Sequence, residues 1–381
     1  MDSTCVDFKE NKSDQRMIHL NSRGLAEDRI GVFMENGCWS SVGKRGGLQK
    51  LSLGRGCEHV RIAAHEIGHA LGFFHTHSRH DRDDYITVDI ENIEPGETSQ
   101  FKTKSKTDNN NYGIPYDYGS VMHYEATRYS IYLACTAYII NTGLVNELEV
   151  FSFAVDDERP TLVPKDLNYT ETLGSPFISF YDILMMNIQY NCLDRCEGIN
   201  TQCRNGGFAH PRACYKCVCP HGYGGKLCGR RVNVFFSLNS QIFRKIFQPK
   251  GCGERLKASE DWTTLVDDLG DKEAGHVYRE DFVKCHYWIT VLKFVDFTKG
   301  ADTDGCQLAG VEIKTKKDPG LTGYSRLETL IIKTILTYNL CSRFCSDKFA
   351  NTTLTSTRNV VPIITYNRYS YTKTKLEYRY I

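Results

Sequence analysis

The sequence predicts a mixed α+β chain built from several separately folded parts, and three observations predict it. One stretch within the first 190 residues has helical spacing with reactive side chains on one face. Seven of the 16 Cys crowd into residues 192–228. Beyond residue 250, stretches such as Trp288 to Phe297 and Val311 to Thr315 alternate as short strands do. A length of 381 residues suggests two or three domains.

Bulk composition excludes several classes. Lys plus Arg is 47 and Asp plus Glu is 46, a net charge of +1, which argues against a nucleic-acid binder driven by charge. With 41% hydrophobic and 24% charged residues the chain is ordinary globular protein and not disordered. No run of 18 apolar residues exists, so no membrane span is predicted. The nearest approach, Tyr129 to Ile140, is too short. The cysteine run reads as a disulfide framework of an oxidising compartment. A zinc ribbon is disfavoured because Cys214 and Cys217 form the only CxxC. Met1 to Glu10 has neither the basic nor the apolar region of a signal peptide. The expectation is a secreted, extracellular protein whose natural start is missing here.

The strongest signal is HEIGHALGFFH, from His65 to His75. His65 and His69 are four residues apart and share a helix face, so two imidazoles can reach one metal ion. Val60 to Ala64 makes a plausible first turn of that helix. Glu66 lies about 100° round the helix and can reach water on the metal from the side. Gly72 permits a positive φ that ends the helix and turns the chain back, bringing His75 to the same ion. Three neutral nitrogens leave zinc an open position, the arrangement of a catalytic site. Zinc lowers the pKa of its water to about 7, Glu66 is the candidate general base, and the metal polarises a peptide carbonyl. A bare HExxH is a weak signal; the extended HExxHxxGxxH is far more specific.

This run, continued by Thr76 to Asp83 (THSRHDRD), resembles the astacin branch of the metzincin metalloproteases, with Arg79, Asp81, Arg82 and Asp83 in matching places. Ser120-Val121-Met122-His123-Tyr124 resembles the family's Met-turn. The likeness implies Met122 as an apolar floor beneath the zinc and Tyr124 as the tyrosine that ligates zinc at rest and stabilises the transition state. It implies a two-subdomain catalytic domain over residues 1–192. Gly37 to Gly43 and Gly47 to Leu53 look like its upper sheet, and Cys38–Cys57 and Cys5–Cys192 are the implied disulfides. Thr76 stands where most members have Glu, a departure that nematode members tolerate. The family's signal peptide, propeptide and first strand are expected to precede Cys5.

Residues 193–231 hold six Cys, and CVCPHGYGGKLC from Cys217 to Cys228 resembles the EGF-like signature. Implied pairs are Cys196–Cys214, Cys203–Cys217 and Cys219–Cys228. So small a unit needs such bridges because it cannot bury enough surface alone. Residues 251–381 resemble a CUB domain, a β-sandwich with implied pairs Cys252–Cys285 and Cys306–Cys345, expected to recognise protein or matrix partners. Residues 232–250 form a linker or insert. Apolar segments near 129–150, 232–248 and 325–340 interrupt these likenesses and resemble translated introns. Asn11, Asn168 and Asn351 sit in N-x-S/T triplets, slight support for a secreted glycoprotein.

The resulting expectation is a secreted zinc endopeptidase of the nematode astacin type. His65, His69 and His75 hold Zn2+, Glu66 is the base and Tyr124 stabilises the oxyanion. Its substrates would be extracellular, matrix or cuticle proteins. The rival is a catalytically impaired protein that binds through its EGF-like and CUB-like units.

Overall fold

A computed structural model describes residues 2–11, 17–19, 27–57, 59–126, 154–156, 159–232, 252–273, 278–289, 292–297, 306–323, 353–354, 356 and 358–379. The suspected inserts at 129–150 and 325–340, all of 232–248 but Val232, and Cys135, Cys341, Cys345 and Asn351 lie outside the described residues.

The amino-terminal part begins with a five-stranded sheet of β1 (Lys9–Asn11), β2 (Met17–His19), β3 (Arg29–Phe33), β4 (Cys38–Ser40) and β5 (Leu48–Leu53), in the order β1-β2-β3-β5-β4. β3 runs parallel to β5, while β4 is antiparallel to β5 and forms an edge. Cys38–Cys57 ties that edge to the approach of the first helix. Helix α1 (Val60–Ala70) lays Ile67 and Ala70 on Ile30 and Leu51 of the sheet. The sheet therefore fixes which face of α1 points away from it, and that face carries His65 and His69.

The lower half is mostly irregular, held by aromatic packing. Tyr85 stacks on Tyr116 at 4.6 Å and Tyr118 on Tyr169 at 4.2 Å, around a core with Ile86, Phe101, Leu162 and Leu173. Two short strands, β6 (Ile86–Val88) and β7 (Leu162–Pro164), pair within it. Helix α2 (Phe180–Gln189) starts with a capping box in which Ser179 and Asp182 satisfy each other's backbone N–H. Cys5–Cys192 closes the domain, packed with Val6 and Leu71.

A small unit follows with β8 (Phe208–His210), β9 (Ala213–Val218), β10 (Tyr223–Gly224) and β11 (Arg230–Arg231). It is bonded through Cys196–Cys214, Cys203–Cys217 and Cys219–Cys228. Gly222 and Gly225 take φ of 85° and 77° around its last hairpin, as glycine alone does without strain. Arg212 of this unit donates to Thr4 O at 2.6 Å and to Asp7 Oδ1 at 2.6 Å, pinning it to the amino-terminal strand region.

The carboxy-terminal part is a β-sandwich. One sheet holds β12 (Thr263–Gly270), β14 (Leu292–Phe297), β16 (Thr353–Leu354) and β18 (Tyr371–Tyr378); the other holds β13 (Tyr278–Ile289), β15 (Ala309–Ile313) and β17 (Val361–Tyr369). Their inner faces share one core, with Leu265, Leu269, Ile289, Val311, Ile363 and Leu376. Cys252–Cys285 bonds β13 to the entering chain. Cys306 is disulfide-bonded, and its expected partner Cys345 is among the residues not described. The alternating stretch Trp288 to Phe297 is the end of β13 and then β14, which pair in different sheets. Alternation reports burial on one face and does not see a chain crossing between sheets.

The disulfide-bonded unit meets the sandwich at Trp288, whose indole N–H donates to Gly222 O at 2.9 Å, and at Arg231, which donates to His286 O at 2.9 Å. Burial pushes His286 down to about 3, helped by Lys284 and His221 and opposed by Glu312, with Arg231 adding to the depression. Burial likewise pushes His221 down to about 4, with Glu312 opposing and Lys284 and Lys314 adding. Both values lie below the ordinary 6.5 of an unfolded histidine. Their stabilisation is therefore complete above pH 6.5 and is lost as pH falls towards 4 and then 3. The melting temperature is expected to fall between pH 7 and pH 5 more steeply in the parent chain than in His286→Leu. Equal slopes in a calorimetric pH series would contradict this.

Candidate metal centre

The site begins with the end of α1. Leu71 is the C-cap, Gly72 takes φ of 101°, Phe73 N–H reaches back to Gly68 O at 3.0 Å and Gly72 N–H to His69 O at 2.8 Å. This pair of bonds is a Schellman ending, which the single glycine makes possible. The chain thus turns beneath the helix and delivers His75 to the face of His65 and His69.

The three rings converge. His75 Nε2 lies 3.0 Å from His69 Nε2 and 3.1 Å from His65 Nε2. The ligand atoms of the triad all lie within 4.8 Å of one another. Among the described residues, no other group of three or more His, Cys, Asp or Glu side chains is so placed. The other nitrogens of two rings are already committed: His65 Nδ1–H donates to Val121 O at 2.8 Å and His69 Nδ1–H to Phe73 O at 2.7 Å. A carbonyl only accepts, so these bonds fix the tautomers and leave the Nε2 lone pairs directed inward. One divalent cation would take an inward lone pair from each of the three rings at once. Zinc bonds of about 2.0–2.1 Å in a tetrahedron would set the nitrogens roughly 3.3 Å apart, close to the spacing found. Burial also holds His69 below its ordinary value, in the neutral form a metal needs.

Glu66 is 5% exposed, on the helical turn between the two histidines. Tyr124 lies with its ring 4.2 Å from that of His75 and 4.3 Å from that of His77. Met122 is 2% exposed and packs under α1 with Phe73 and Val121. A Cβ built on Gly68 would meet Met122 Sδ at 2.6 Å, so the glycine of HEIGH makes room for this methionine. Alanine would gain up to about 1 kcal/mol of helix propensity but overpack a buried contact, which costs about 1–3 kcal/mol. Gly68→Ala is therefore expected to lower the urea midpoint; a raised midpoint would show that Met122 yields freely.

The family likeness marks Thr76, Arg79, Asp81 and Arg82 but not what they bond, and nothing in the sequence points to Asp182. Asp182, in the first turn of α2, accepts from Ser120 Oγ at 2.5 Å and Val121 N–H at 2.9 Å, and burial lifts its carboxyl to about 6. Thr76 Oγ1 donates to Ser120 Oγ at 2.9 Å, and Thr76 N–H donates to Met122 O at 3.0 Å. The departure at Thr76 is thus absorbed into this buried network. His77 is fully buried and stacked 5.0 Å from the His75 ring; burial keeps it neutral. Burial likewise pushes His123 down to about 4; its ring accepts from Tyr116 OH at 2.7 Å. Arg79 grips Asp81 through two nitrogens at 2.9 and 2.8 Å and donates to Ile114 O and Pro115 O. Arg82 donates to His77 O and Phe101 O at 2.9 and 2.8 Å. These arginines brace the chain that carries His75 and His77.

Residues 1–144 match the astacin peptidase family. The chain is 40% identical over 370 residues to zinc metalloproteinase nas-31 of Caenorhabditis elegans, covering 95% of this chain and 50% of that protein. It is 31% identical over 388 residues to zinc metalloproteinase nas-32 of the same nematode, covering 100% of this chain and 48% of that protein. It thus spans about half the length of these relatives. Among solved structures, high choriolytic enzyme 1, a hatching enzyme zinc protease from the medaka fish Oryzias latipes, is 33% identical, covering 44% of this chain and 72% of that one, with a TM-score of 0.36. Through the domain that holds the histidine triad, the chain belongs to the astacin family.

Proposed function

We propose that this chain is a zinc-dependent endopeptidase acting on extracellular proteins. The observation that carries the reading is the convergence of the three Nε2 atoms, two of them tautomer-locked by backbone carbonyls. Bound there, zinc supplies a Lewis acid and lowers the pKa of water to about 7.

The chain's own residues would do the rest. Glu66, buried on the helix between the ligands, takes the proton of the attacking water and returns it to the leaving amine. Tyr124 offers its hydroxyl to the developing oxyanion, its ring packed beside the stacked rings of His75 and His77. Among the described residues β4 is an edge strand of the upper sheet, suited to bind an extended substrate strand by backbone pairing. The disulfide-bonded unit at 196–228 fits an EGF-like module and the sandwich a CUB-like one, in keeping with their bonds and sheets. Six disulfides with both partners described favour secretion. Among the described residues no helix is long and apolar enough to cross a membrane.

Purified full-length protein, processed as it is in its host, should contain one zinc per chain and hydrolyse unfolded casein. Metal content without hydrolysis would overturn the reading in favour of a binding protein.

A further inference from the structure

The turn from Asp117 to Glu125 carries most of what supports the metal centre. Val121 O fixes His65, Met122 underlies α1, and Tyr124 lies against His75. Asp182 holds one side of this turn, as described above. The two ends of the turn are held by the carboxy-terminal sandwich.

At the first end, Thr322 N–H and Thr322 Oγ1 donate to the two carboxylate oxygens of Asp117 at 3.1 and 3.2 Å. The Thr322 side chain also fills the space where Gly119 would have a Cβ. At the other end, Gln307 Nε2 donates to Glu125 Oε1 at 2.5 Å. The same oxygen pairs with Arg61 Nη1 at 2.9 Å, one helical turn before His65. These are enclosed contacts: Asp117 is 3% and Gln307 2% exposed.

The loop that presents Thr322 is itself stapled. Lys314 Nζ donates to Leu321 O at 2.7 Å and Pro319 O at 3.3 Å, and Gly323 N–H donates to Glu312 Oε1 at 2.9 Å. Gln307 follows a disulfide-bonded cysteine. Both groups are thus anchored within the sandwich, and a contact at each end restrains what lies between.

We infer that the sandwich is part of the active-centre scaffold, with Thr322 and Gln307 as positioning residues for the Val121 carbonyl and the Tyr124 ring. The chemistry this serves rests on the function proposed above. The sandwich's segment 306–323 thus faces its own catalytic domain and is not free to recognise a separate partner.

The test uses the full chain. Thr322→Val keeps the shape and removes one donor; Thr322→Ser restores it; Gln307→Leu removes the other contact. Lys316→Ala serves as control, since Lys316 bridges Asp166 across the same interface at 3.1 Å but away from the turn. For Thr322→Val and Gln307→Leu, kcat on a peptide substrate should fall about tenfold to a hundredfold, the scale of a small misplacement, with KM little changed. The visible absorption of the Co2+-substituted protein should shift in both, and Thr322→Ser and Lys316→Ala should behave as the parent. Unchanged kcat and spectrum in both variants would overturn the inference. So would a loss that merely tracks the fraction unfolded in a melting curve. If the parent takes up Co2+ yet hydrolyses nothing, the proposed function fails while the spectra still decide the clamp.

Discussion

Glu66→Gln should keep its metal and lose a hundredfold or more in turnover, because general-base catalysis contributes about 10²–10⁴-fold. The amide has the size of the carboxylate and still accepts hydrogen bonds, but it cannot take a proton at neutral pH. Glu66 sits between His65 and His69 on one helix, so the substitution leaves the ligands in place. Zinc by atomic absorption should stay at the parent's level while kcat falls and KM changes little. A variant that keeps more than a tenth of the parent's kcat would remove Glu66 from the role of base. A variant that loses its zinc would show Glu66 to be a structural support of the triad.

Metal removal should have the larger effect, abolishing hydrolysis and lowering the melting temperature, with Zn2+ restoring both. The inward Nε2 atoms of His65 and His69 lie 3.1 and 3.0 Å from His75 Nε2, and a single proton on His75 is a weaker tie between the three rings than a shared cation. A ligand bound only by the folded state stabilises by mass action, about 4 kcal/mol at a thousand times its Kd. Dialysis against a chelator, followed by calorimetry and a protease assay, tests both parts. Hydrolysis that survives complete removal of metal would refute the zinc reading. An unchanged melting temperature would show that the rings rearrange without penalty.

The parts legible in the sequence were those written in local spacing. His65, Glu66 and His69 lie within one stretch of α1, and Gly72 ends it by a bond pattern spanning a few residues. The cysteine pairs of the small unit span 9 to 18 residues and are those the EGF-like resemblance implies, since spacing alone leaves the pairing of six Cys open. Helix period and glycine's freedom at positive φ act over short distances, so they can be read from the chain alone.

What only the tertiary structure decided is how that local set is held. Val121 O is 56 residues from His65, Asp182 is 61 from Val121, and Gln307 is 182 from Glu125. An aspartate, a threonine or a glutamine carries no mark of its distant partner, since each can hydrogen-bond many groups. The match is made by the packing of sheet, helix and sandwich, which brings remote backbone and side-chain atoms to within bonding distance. Sequence alone determined which atoms could bind a metal; the folded packing decided which other atoms keep them aimed.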